Sequence, residues 1–430
     1  MPKKTRKRGR VEAEGAGPPL ASDHMDDAMS TASVGSLSSE QSLDTFAETG
    51  DDAVDESSAQ EVFEEKLNDA IEGLLEKSLK GRTNSIRSVI SAMRKRVLTG
   101  FLIDRHVTVT DALERSLKRG KGEEQAISAS ALMLLSVQLG LTEEGEALFN
   151  SIKPLLLSLL LDPSASVAAR TQCAEAVGLC GFICANDIHV VAELMSTLES
   201  IFVKSYLKGD KTSPVFSPQT CALHRAALDS WSLLLSIATT SSVKSLVDMH
   251  LHRLPELLEN SDLEVRIAGG EAISLLYELA RELDEDFEGP AMDSLCEKLK
   301  QMSTDNSKHQ NKKDRKQQRS SFRDILHYIE DASFRDFECK FGNESVYIDS
   351  WARKRQYDSL CSSLGSGMNS HLKGNVLLRD IFGLGAPIPA GAVSDKLSKN
   401  DRRLYNQAVF KARTQIRQKL RDKRMAKLSG

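Results

Sequence analysis

The sequence predicts an all-α protein built on an array of repeated helix pairs, and three observations predict it. Aromatic residues are 5% of the chain and hydrophobic residues 40%, a Leu-, Ala- and Ile-rich balance that suits helix packing better than sheet packing. Apolar residues recur at helical spacing from residue 61 onward, as at Leu67, Ile71, Leu74 and Leu75. A signature then repeats. Arg266 is followed five residues later by Glu271, Ala272 and Ile273, and Arg170 at the same offsets by Glu175, Ala176 and Val177. Weaker copies start at Arg82 (with Arg87, Ser88, Val89) and Gln125 (with Ser130, Ala131, Leu132), and a degenerate one lies near Arg225. The anchors stand 43, 45, 55 and 41 residues apart. Apart from the third gap, that is the period of HEAT and armadillo arrays, about 40–47 residues.

In chain order, residues 1–60 read as a disordered tail, basic and then acidic. Lys3, Lys4, Arg6, Lys7, Arg8 and Arg10 open it, and residues 11–65 then contain no Lys or Arg while carrying Asp51, Asp52, Asp55 and Glu56. Such a stretch is too poor in apolar groups to offset the entropy of ordering. The basic head reads as a nuclear address, a phosphate-binding arm or a solvated tail. The serines over Ser36–Ser42 lie beside acids and are candidates for phosphorylation.

Residues 61–300 are the predicted HEAT/armadillo-like helical repeats. Each unit is a helix pair whose second helix buries small residues, such as Gly269, Gly270 and Ala272, against its neighbour. One pair cannot hide its apolar face, so stacking supplies the core. The long gap holds Gly209, Asp210, Lys211, Thr212, Ser213 and Pro214, a loop insertion. The repeated Arg is expected to link adjacent units by hydrogen bonds.

Residues 301–320 form a basic connector with Lys308, Lys312, Lys313, Arg315, Lys316 and Arg319. It is either an exposed loop or the polar start of a helix running into Phe322, Ile325 and Leu326. Residues 321–395 are expected to form a small C-terminal unit. In it, 337–341 and 345–348 pair as a β-hairpin about Gly342-Asn343, and helices follow near 349–363 and 375–383. Residues 396–430 are the basic C-terminal element, one helix over 397–428 capped by Ser398 and about 45 Å long at 1.5 Å per residue.

No chemistry-bearing pattern points to an enzyme: GxxxxGK[ST], GxGxxG after a strand, HExxH and GxSxG are all missing. The seven cysteines, the first five in apolar helical patterns, fit reduced thiols in a cytosolic or nuclear protein, and no Cys/His group completes a zinc pattern. No metal or other cofactor is expected. His250 and His252 are expected at the surface. The longest dense apolar stretch, 155–161, is far short of the ~20 residues that span a membrane, and no secretory signal is present.

The chemistry instead concentrates in the last helix. Arg402, Arg403, Lys411, Arg413, Arg417, Lys419, Arg421, Lys423, Arg424 and Lys427 are opposed only by Asp401 and Asp422, with Tyr405 and Phe410 interleaved. The apolar residues Leu404, Ile416, Leu420 and Met425 form no stripe, so the helix has little reason to dock along its own body. Dense like charge disfavours it alone, whereas phosphate relieves the repulsion and releases counterions. The predicted role is RNA binding, with Tyr405 and Phe410 stacking on bases or anchoring the root. The bland alternative is a solvated tail or a nuclear localisation signal. Lys312, Lys313, Arg315, Lys316, Arg319, Arg353, Lys354 and Arg355 form a secondary basic patch. For the last three the favoured reading makes Trp351 and Tyr357 core anchors with the bases on the wet face.

Several stretches resemble the interferon-related developmental regulator family. They are Asp111-Ala112-Leu113-Glu114-Arg115 running into Leu117-Lys118-Arg119-Gly120-Lys121, Arg266-Ile267-Ala268-Gly269-Gly270-Glu271, Leu275–Arg281, Tyr347–Trp351, Gly365–Met368 and Leu378–Gly385. The most specific is Leu404-Tyr405-Asn406, then Phe410-Lys411-Ala412-Arg413-Thr414, Arg417 and Arg421–Arg424. The order holds over roughly residues 60–424, and Gly122–Ala126 with the short acidic lead looks closer to the second vertebrate type. The resemblance implies a non-catalytic protein, cytoplasmic and nuclear, with two functions. One is binding to idle ribosomes through rRNA, with the body over the tRNA sites and the last helix in the small-subunit mRNA path, which silences translation. The other is transcriptional co-regulation with histone-deacetylase corepressors.

Overall fold

In a computed structural model, residues 56–305, 311–387 and 399–428 are described, with all side chains except those of Glu56, Ser57, Lys399, Thr414 and 416–428. The basic head, Ser36–Ser42, Lys308 and Ser398 lie outside the described residues. From Glu56 the chain is helical, so residues 56–60, expected in the tail, begin the first helix.

Thirteen helices come first. They are α1 (Glu56–Gly73), α2 (Leu79–Lys95), α3 (Thr99–Ile103), α4 (His106–Arg119), α5 (Glu123–Leu139), α6 (Glu143–Leu161), α7 (Val167–Cys184), α8 (Ile188–Phe202), α9 (Pro218–Leu235), α10 (Thr240–His250), α11 (Leu263–Leu283), α12 (Met292–Thr304) and α13 (Lys312–Asp331). Their starts are written locally. Ser78, Thr142, Ser166, Ser217, Asp262 and Asn311 each accept a backbone N–H of the turn that follows, the preferred way to satisfy an orphan donor. They pair as α1/α2, α4/α5, α6/α7, α8/α9, α10/α11 and α12/α13. The sixth pair carries the array past residue 300. The basic segment 312–320 is the polar start of α13, which runs into the buried Phe322 and Ile325.

The second helices, α2, α5, α7, α9, α11 and α13, stack on one another as a ladder. Being covered on two sides, they are apolar nearly all round: α5 is buried along most of its length, including Ala129 through Leu135. Close stacking needs small residues. A Cβ on Gly270 would stand 2.7 Å from Ile325 of α13. The repeated anchor is structural. Arg82 donates to the carbonyls of Glu76 and Lys77, Gln125 to Leu117, Arg170 to Leu160, and Arg266 to Asn260 and Ser261. Each thereby caps the carbonyl end preceding its own helix. Arg82 also reaches Glu124 of the next unit, and Arg266 reaches Gln318. Arg225 instead pairs with Asp229 and with Glu264 of the next unit. The insertion falls between α8 and α9, where Lys211 turns with φ 62°.

After α13 comes an antiparallel hairpin, β1 (Phe337–Phe341) and β2 (Glu344–Ile348), with Phe341 opposite Glu344. Then come α14 (Trp351–Leu364), α15 (Met368–Gly374), α16 (Val376–Phe382) and α17 (Lys399–Leu428). This segment, expected as a separate small unit, runs back across the ladder from α11 and α9 to α5 and α2. Gln356 donates to Ser236 at the end of α9, and Asn375 to the Val137 carbonyl of α5. Arg94 of α2 donates to the Ser363 carbonyl. His371 Nε2 donates to the carbonyls of Met93 and Arg94 at 3.0 and 3.1 Å. Gly367 lies so close that a Cβ would stand 1.7 Å from the Arg94 carbonyl oxygen.

Candidate functional site

The basic helix α17 begins beside the hairpin and α16. Tyr405 Oη donates to the Gly383 carbonyl at 3.0 Å, and Asn406 Nδ2 to Asp349 Oδ2 at 2.8 Å. The Arg402 guanidinium lies 3.8 Å over the Tyr347 ring. Arg413, with 11% of its side chain exposed, stands 3.5 Å from Asp380 and 5.4 Å over Phe182. Burial pushes the Arg413 guanidinium down to about 10, against the attraction of Asp380. The first half of α17 therefore does dock on its own body. The missing apolar stripe is replaced by polar and cation–π contacts, which a hydrophobic periodicity does not register. Tyr405 anchors the root. Arg403 and Lys411 are exposed and Phe410 is half-buried. The side chains of Arg417, Lys419, Arg421, Lys423 and Arg424 lie outside the described residues, on a helix that continues to Leu428.

Under this half of α17 runs a groove of about 1460 Å³. Its other wall is formed where α7, α9, α11 and α13 end, lined by Asn186, Ile237, Leu283 and Ala332 among others. Helix C-termini carry partial negative charge, and Asp187, Glu199, Glu282 and Glu285 add carboxylates. Burial raises the Glu282 carboxyl, and Lys411 opposes that rise. A cationic helix thus lies along an anionic edge.

The secondary patch does not hold together. Lys312, Lys313 and Lys316 are exposed on α13, while Arg315 and Arg319 are half-buried and Arg319 donates to the Arg315 carbonyl. Arg353, Lys354 and Arg355 belong neither to an RNA surface nor to a wet face. Arg353 donates to the carbonyls of Tyr347 and Phe382. Lys354 pairs with Glu271 and Asp358, and Arg355 with Asp229 and Glu271. Burial alone would raise the Glu271 carboxyl, but these two cations hold it at about 2. Asp358 lies one turn further along α14, but Asp229 and Glu271 come from α9 and α11, more than eighty residues upstream, so local sequence could not reveal the whole network. His250 is also not at the surface. It is buried against Trp231, with ring centroids 4.9 Å apart.

Two organising residues were missed. Glu278 accepts the backbone N–H groups of Trp351 and Ala352. Arg379 makes a two-pronged pair with Glu344 at 2.7 and 3.1 Å and donates to five carbonyls, including those of Leu372 and Leu384. The available signal was charge inside an apolar run, Glu278 alone within Leu275–Ala280 and Arg379 beside Asp380 within Val376–Phe382. Among the described residues no group of three or more His, Cys, Asp or Glu is placed to hold a metal ion, and no helix is long and apolar enough to cross a membrane. All seven cysteines are free, and burial pushes Cys173 and Cys180 up to about 12.

Residues 29–330 match the family model for interferon-related developmental regulators, and residues 375–425 match that of the interferon-related protein conserved region, which takes in α16 and most of α17. Interferon-related developmental regulator 1 of Sus scrofa is 43% identical over 88% of this chain and 85% of its own length. Interferon-related developmental regulator 2 of Mus musculus is 44% identical over 87% of this chain and 86% of its own. The two types thus stand at nearly equal distance. Among solved structures, a designed armadillo repeat protein matches at 13% identity with a TM-score of 0.38, covering 60% of this chain and 99% of its own. The chain belongs to the interferon-related developmental regulator family.

Proposed function

We propose that this protein is a non-catalytic ribosome-binding factor. It silences translation by occupancy, with its helical body over the tRNA sites and α17 in the small-subunit mRNA path. The observation that carries this reading is α17 itself, a helix of 30 residues whose root is held by Tyr405 and Asn406. Its far half carries Arg417, Lys419, Arg421, Lys423, Arg424 and Lys427 against one acid, Asp422. A helix charged around most of its circumference fits a channel walled by phosphate better than a one-sided protein groove. Inhibition then follows from excluded space, and no bond is made or broken.

The test is co-sedimentation with empty 80S ribosomes at several salt concentrations. The full chain is compared with a chain ending at Lys396 and with the Arg417→Glu, Arg421→Glu, Arg424→Glu variant. Salt-sensitive pelleting of the full chain, lost in both others, is the expected result. A full chain that stays in the supernatant at near-physiological salt overturns the reading.

The groove beside α17 favours a second reading, a nuclear co-regulator that binds histone-deacetylase corepressors. Its wall mixes Val191, Met195 and Leu246 with carboxylates, a surface for an amphipathic peptide. Corepressor capture that survives Met195→Glu with Leu246→Glu removes it.

A further inference from the structure

We propose that the turn joining α4 to α5 is a second RNA-contacting surface, one that takes phosphates through Arg115, Arg119 and Lys121. The proposal rests on the ribosome reading and adds to it a contact on the body, remote from α17.

Four cations fall between residues 115 and 121: Arg115, Lys118, Arg119 and Lys121, all exposed. What makes them a patch is the fate of the nearby acids. Glu114 accepts from Ser151 and from Lys118 at 2.7 Å. Glu123 is held by Arg87, and Glu124 by Arg82 at 2.7 Å. Three carboxylates are thus engaged by partners on α2, α4 and α6. Arg115, Arg119 and Lys121 have no ion-pair partner among the described residues. Asp111, one turn earlier on α4, is the remaining acid of this stretch.

Arg115 and Arg119 are four residues apart, so their side chains rise from one helix face about 5–6 Å apart at Cβ. Two guanidiniums at that spacing suit successive phosphates, and Arg presents forked donors to each. Lys121 extends the row into the turn. An unpaired cationic row, with its neutralising acids drawn elsewhere, is the electrostatic footprint of a polyanion.

Position says what kind of polyanion. The patch sits where a second helix of the ladder begins, whereas the groove under α17 lies where second helices end. Cations on opposite edges of the array cannot both meet a short single strand. They can both meet a folded RNA that encloses the protein, as the walls of a ribosomal cavity would.

The experiment uses the full chain with Arg115→Glu, Arg119→Glu and Lys121→Glu together, and a charge-neutral version with Gln at all three positions. Both are sedimented with empty 80S ribosomes from low to high salt beside the α17 variant, and both are melted to establish that the fold is intact. Each phosphate contact contributes about 0.7–0.9 to the slope of log affinity against log salt. The expected result is a slope shallower by about 2 in both variants and, at physiological salt, affinity at least tenfold weaker. Variants that superpose on wild type while the α17 variant fails to pellet overturn this inference and leave the ribosome reading standing. Wild-type protein that does not pellet removes both. Poly-glutamate that displaces the protein as well as RNA of equal charge does also overturns it, because the surface is then a general anion site.

Discussion

Glu278 of α11 closes the N-terminus of α14, its carboxylate accepting the backbone N–H of Trp351 at 2.6 Å and that of Ala352 at 2.9 Å. An anion at a helix N-terminus is favourable, yet burial pushes this carboxyl up to about 8 against the two N–H bonds. A carboxyl whose folded pKa is raised binds its proton more tightly when folded. Its contribution is full below the ordinary glutamate value of 4.5 and is lost as pH rises through about 8. Wild-type Tm should therefore fall over that window relative to Glu278→Gln, which keeps an acceptor and cannot titrate. Parallel Tm–pH curves for the two proteins would contradict this.

Arg379 is 4% exposed and ties β2, the α15–α16 turn and the chain beyond Gly383 into one knot. Removing one partner of a buried pair leaves the other uncompensated, at about 3–5 kcal/mol. Arg379→Ala should cost that much in urea melts. A cycle with Glu344→Ala should return a coupling energy of at least about 1 kcal/mol.

The network of Asp229, Glu271, Lys354, Arg355 and Asp358 makes a different prediction. Glu271→Ala should destabilise by about 2–3 kcal/mol, less than a fully buried pair would, because Lys354 keeps 25% and Glu271 16% of its side-chain exposure. Since Glu271 is held near 2, its stabilisation is present above 4.5 and lost as pH falls toward 2. Lys354→Gln should leave the salt slope of ribosome binding unchanged, which sedimentation can check.

Lys312, Lys313 and Lys316 are the accessible remainder of the secondary patch. Reversal to Glu should leave Tm within the equivalent of about 0.5 kcal/mol. If these lysines meet phosphate, the slope of log affinity against log salt falls by about 0.7–0.9 for each phosphate no longer neutralised. An unaltered slope assigns them to solvent.

The array was legible because its repeating residues do the same local job in each unit. Arg82, Gln125, Arg170 and Arg266 cap carbonyls within ten residues of themselves, and a task that local leaves a period in the sequence. The hairpin was legible for the same reason, its turn being set by Gly342 with φ 60°. The purposes of Lys354, Arg355 and His250 were not legible, because Glu271, Asp229 and Trp231 reach them from other helices, and Arg353 is taken up by the carbonyls of Tyr347 and Phe382, which leave no charge pattern. The seat of α17 escaped because it is built from single polar contacts at Tyr405, Asn406 and Arg413, which have no periodicity.

The return of α14–α16 across the ladder changes the statistical mechanics of the whole chain. A bare array of helix pairs behaves as a one-dimensional chain of neighbours, in which end units fray independently. Here Arg94 of α2 is hydrogen-bonded to Ser363, 269 positions later, and His371 grips the same turn. The first unit is thereby tied to the last-made part of the body. Unfolding becomes closer to all-or-none, and a chain emerging from synthesis cannot close its ladder until residue 375 is free.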